Sequence, residues 1–185
     1  MYTSKTLYFE KGGREHSQAA LSAMKERAEA MDPAPEAIVV TSTTGDTALK
    51  AAQAFKGTGR RIIAVPFQKH LWAAYAGLNP EHRAACAELG VEFLPDEPRV
   101  PLVDEERPDI VNAWRVVSQG FKVALQAASM CVDTGLVEDG AVSAPELVPP
   151  AAMTTAPSST RPVSTHMDAA CSATLNPWLT TRHAL

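Results

Sequence analysis

Apolar positions change period repeatedly along the chain. Within residues 17–31, Leu21, Met24, Ala28 and Met31 recur at spacings of three and four, the repeat of one helix face. Asp32-Pro33-Ala34-Pro35 stops that helix. Ala37-Ile38-Val39-Val40-Thr41 is a short unbroken run rich in β-branched residues, which suits a strand covered on both faces. It leads directly into Ser42-Thr43-Thr44-Gly45-Asp46-Thr47 and a helical stretch to Phe55, and Gly57-Thr58-Gly59 then turns the chain. Residues 61–67 (Arg-Ile-Ile-Ala-Val-Pro-Phe) read as a second strand ending at Pro66. Asn79-Pro80-Glu81 opens a helix with a capping residue, a proline at its first position and an acid in its first turn, and Gly90 closes it. Val91-Glu92-Phe93-Leu94 is a third strand. Residues 109–134 read as one long helix with Ile110, Ala113, Trp114, Val117, Phe121, Ala124, Leu125, Ala128 and Val132 along a face, stopped by Gly135.

Strands alternating with helices predict right-handed crossovers and a three-layer α/β/α fold with a mainly parallel sheet. Ligands of such sheets sit beyond the carboxyl ends of the strands. Two segments fall there, residues 42–47 after the first strand and 66–71 after the second. The aromatic lead-in Leu7-Tyr8-Phe9 precedes the pattern.

Composition narrows the class without naming an activity. The chain has 185 residues, 45% apolar and 21% charged, with a formal net charge of -4, so no overall basic field draws it to nucleic acid or an anionic membrane. Cys86, Cys131 and Cys171 are odd in number and more than 35 residues apart. They form neither a metal-site spacing nor a C-x-x-C pair. The first residues carry charges before any long apolar stretch, and the most apolar window, residues 123–132, falls short of the ~20 residues a membrane span needs. A cytoplasmic protein without cofactor or metal is the expectation.

The loop 42–47 is the most chemically suggestive segment. Clustered hydroxyls, a glycine and the positive end of a helix dipole are the parts of a phosphate cradle. The same residues also serve an ordinary helix start, with Thr44 as the cap and Asp46 and Thr47 in the first turn. Asp46 opposes an anion, since its carboxylate already complements the dipole. The loop is neither a Walker A motif nor a G-x-G-x-x-G turn.

Taken together, Tyr8-Phe9-Glu10-Lys11, Ile38-Val39-Val40-Thr41-Ser42-Thr43-Thr44-Gly45-Asp46-Thr47-Ala48, Gln119-Gly120-Phe121-Lys122-Val123-Ala124 and Asp133-Thr134-Gly135-Leu136 resemble the C-terminal α/β domain of pyruvate kinase over residues 7–142. The resemblance implies that Ser42, Thr43, Thr44, Gly45 and Thr47 cradle a phosphate of a small metabolite. It includes no phosphoenolpyruvate or metal site, so it implies a stand-alone regulatory or ligand-binding domain with no catalytic residues.

The resemblance stops after Ser143, where the family would continue into a strand and a second glycine-rich turn. Of the 42 residues from 144 to 185, 25 are Ala, Pro, Ser or Thr, four are charged and none is glycine. That composition is expected of a disordered or linker-like tail, or of translation in a shifted frame, outside a domain of residues 1–143.

Remaining candidates divide between solvent and core. Lys69 and His70 could serve as base and anion ligand or stand as a solvated pair. His82 reads as exposed, Cys131 as a buried inert thiol, and Trp114 and Phe121 as core or the interface of a homo-oligomer. A small enzyme acting on a phosphorylated substrate and a structural oligomerisation module are the other two function classes.

Overall fold

The computed structural model describes residues 7–9, 13–32, 34–74, 77–95, 107–138, 142–144, 165–167 and 171–172. Its centre is β2 (Ala37–Thr41), flanked in parallel by β3 (Arg61–Val65) and β5 (Val142–Ala144), with β4 (Glu92–Phe93) parallel to β3. The sheet order is β4-β3-β2-β5-β7, where β7 (Cys171–Ser172) pairs antiparallel with β5. A separate antiparallel pair joins β1 (Leu7–Phe9) to β6 (Thr165–Met167). In register, Ile38 lies opposite Ile62, Val39 opposite Ile63 and Val40 opposite Ala64.

Successive strand residues point to opposite faces, so an unbroken apolar run can cover both. Ile38, Val40, Ile62 and Ala64 pack against Leu21, Met24 and Ala28 of α1 (Ser17–Ala30), Ala48, Ala51 and Ala52 of α2 (Asp46–Ala54), and Cys86 of α3 (Pro80–Glu88). Ala37, Val39, Ile63 and Val65 pack on the other side against Ala124, Ala127, Ala128 and Cys131. The three-layer α/β/α architecture with a mainly parallel sheet follows directly. Arg61 ties its amino-terminal edge together: the guanidinium donates twice to Glu92, at 2.7 Å each, and once to the Leu136 carbonyl at 2.9 Å.

One expected element is two. The helix predicted over 109–134 is divided into α4 (Pro108–Val117) and α5 (Gln119–Asp133). Ser118 between them is extended, with φ -170° and ψ 160°, and its Oγ accepts from the Phe121 N–H at 2.9 Å. A serine that caps the next helix offers the chain an alternative to the helical bond, and the β-branched Val116 and Val117 before it weaken continuation. Strand ends also contract: the second strand stops at Val65, before Pro66, and the third is Glu92–Phe93. The aromatic lead-in is itself a strand. The capping at Asn79 is as predicted, its Oδ1 accepting from the N–H groups of Glu81 and His82 at 3.0 and 3.3 Å. Beyond 144, only β6 and β7 are among the described residues; the rest of the expected tail lies outside them. No helix among the described residues is long and apolar enough to cross a membrane.

Candidate functional site

Parallel pairing of β2 and β3 puts their carboxyl ends side by side, and Ser42 N–H donates to the Val65 carbonyl at 3.0 Å. The chain then turns through Gly45, at φ 92° and ψ -12°, and α2 begins at Asp46. A φ in the left-handed region suits glycine because a Cβ there meets the backbone. Here a Cβ would also lie 3.0 Å from the His82 Cβ of α3, and the Gly45 carbonyl accepts from the Cys86 thiol at 3.5 Å. The close approach that this glycine permits is therefore made first of all to α3.

The structure brings Ser42, Thr43, Thr44, Gly45 and Thr47 into one turn, and it divides their work. Ser42 and Thr43 are buried. Ser42 Oγ accepts from the Ala48 N–H at 3.2 Å, and Thr43 Oγ1 accepts from the Phe67 N–H at 2.8 Å. Thr44 Oγ1 accepts from the Asp46 N–H at a long 3.4 Å, so Ser42 makes the firmer cap from six residues away, a partner that helix-start rules do not anticipate. Leu49 N–H donates to the Gly45 carbonyl at 2.9 Å, the first intrahelical bond. The N–H of Thr47 has no hydrogen-bond partner among the described residues. Thr44 and Thr47 are half-buried at this helix end.

Two neighbours missed by sequence reasoning modify the charge. Lys50 Nζ donates to Asp46 Oδ2 at 2.8 Å, offsetting the carboxylate that opposes an anion; the i,i+4 acid-to-lysine spacing was the available signal. His82, expected to be exposed, is half-buried beside Gly45, and its Nδ1 is a buried atom without a hydrogen-bond partner among the described residues. Only the α2–α3 packing reveals that contact. Next to it, the Arg83 guanidinium stands 3.5 Å from the centre of the Phe93 ring.

The second strand-end segment lies against the first through Thr43 and Phe67. Lys69 and His70 are exposed on a single 3-10 turn, Lys69–Leu71, and Trp72 Nε1 donates to the Phe67 carbonyl at 2.7 Å. Cys86 and Cys131 are buried and free. Burial pushes the Cys86 thiol up and pushes Cys131 up to about 12, so both stay protonated and unreactive at neutral pH. Among the described residues, no three His, Cys, Asp or Glu side chains form a group that could hold a metal ion.

No family model matches the chain, and no curated protein matches it. Among solved structures, a pyruvate kinase from Cryptosporidium parvum aligns with 70% of this chain at 17% identity and a TM-score of 0.35. The alignment covers 20% of that enzyme's chain. The likeness assigns no role to any residue here.

Proposed function

We propose that this chain is a non-catalytic regulatory or ligand-binding domain that holds the phosphoryl group of a small metabolite at the β2–α2 turn. The observation that carries this reading is the Thr47 N–H at the positive end of α2, which has no hydrogen-bond partner among the described residues, next to the hydroxyl-bearing side chains of Thr44 and Thr47. Backbone N–H groups at a helix start present about half a positive charge to an anion, and hydroxyls can donate to phosphate oxygens. Ser42 and Thr43 support the turn from beneath, and Lys50 supplies a cation one helical turn away. The sequence resemblance to the C-terminal domain of pyruvate kinase supports the same loop.

Inorganic phosphate titrated into the full chain, followed by amide NMR, tests the reading. Saturable shifts should centre on residues 42–48. Replacing Asp46 with Asn removes the opposing carboxylate and releases Lys50, so Asp46→Asn should tighten phosphate severalfold at low salt. Shifts centred on another segment, or an unchanged affinity in Asp46→Asn, would reduce the turn to a helix cap.

A further inference from the structure

We draw no further inference here: the strongest candidate, the apolar surface patch of α4 that leaves Ala113 and Val116 exposed beside half-buried Trp114, carries nothing, because nothing in the structure shows what covers it.

Discussion

Gly45 shows how one residue carries a structural and a chemical requirement at once. Its φ of 92° and the 3.0 Å approach to His82 both forbid a side chain, so Gly45→Ala should lower stability by about 1–3 kcal/mol. Urea unfolding measures this, and a loss below about 0.5 kcal/mol would show that the turn relaxes at no cost. Because the same substitution disturbs α3, loss of phosphate binding in a Gly45 variant would not isolate the ligand contact; Asp46→Asn does. Cys131 carries the clearest pH dependence. Burial raises its thiol from 9.0 to about 12 in the folded chain, so its contribution to stability is complete below pH 9 and is lost as pH rises from 9 towards 12. Stability should fall in that window with a slope approaching about 1.4 kcal/mol per pH unit from this group alone. Cys131→Ala should flatten the alkaline limb measured by urea unfolding at successive pH values, and an identical limb in the variant would remove Cys131 as its cause.

At the scale of elements, the break at Ser118 was the main departure from the hydrophobic pattern. Apolar spacing alone continues from Ile110 to Val132, since period says which face is buried and nothing about whether two helices share it. The side chain of Ser118 decided the matter by accepting from the Phe121 N–H. Ser118→Ala should therefore cost about 1 kcal/mol, the usual loss for an N-cap, read as a drop in thermal midpoint. No change would mean that packing of α4 and α5 sets the break without the cap. The asparagine cap and proline of α3 were legible in the sequence because both act within three residues. The Ser42 cap of α2 was not, because it reaches across the left-handed turn at Gly45.

On the scale of the whole molecule, sheet order sets where the chain is firm. β2 is paired on both sides, whereas β1 with β6 and β5 with β7 make pairs of three and two residues, lengths that are marginal without further cover. We expect limited proteolysis to cut beyond β5 and leave a stable fragment ending near residue 144. A resistant fragment that retains 165–172 would show that the two short pairs bind the end of the chain into the fold.

What the sequence determined was local: the alternation of helix and strand from α1 to β4, the turn at 42–47, the two apolar faces of Ala37–Thr41, and the stops at Gly90 and Gly135. Period, capping and proline geometry act over a few residues and can be read in order. Tertiary structure decided what contacts distant in sequence control. It set β5 on the far side of β2, seated Gly45 on α3, and joined the two strand-end segments through the hydroxyl of Thr43. None of these is a property of a window of residues, because each depends on parallel strands and packed helices bringing remote backbone atoms within hydrogen-bonding or van der Waals reach.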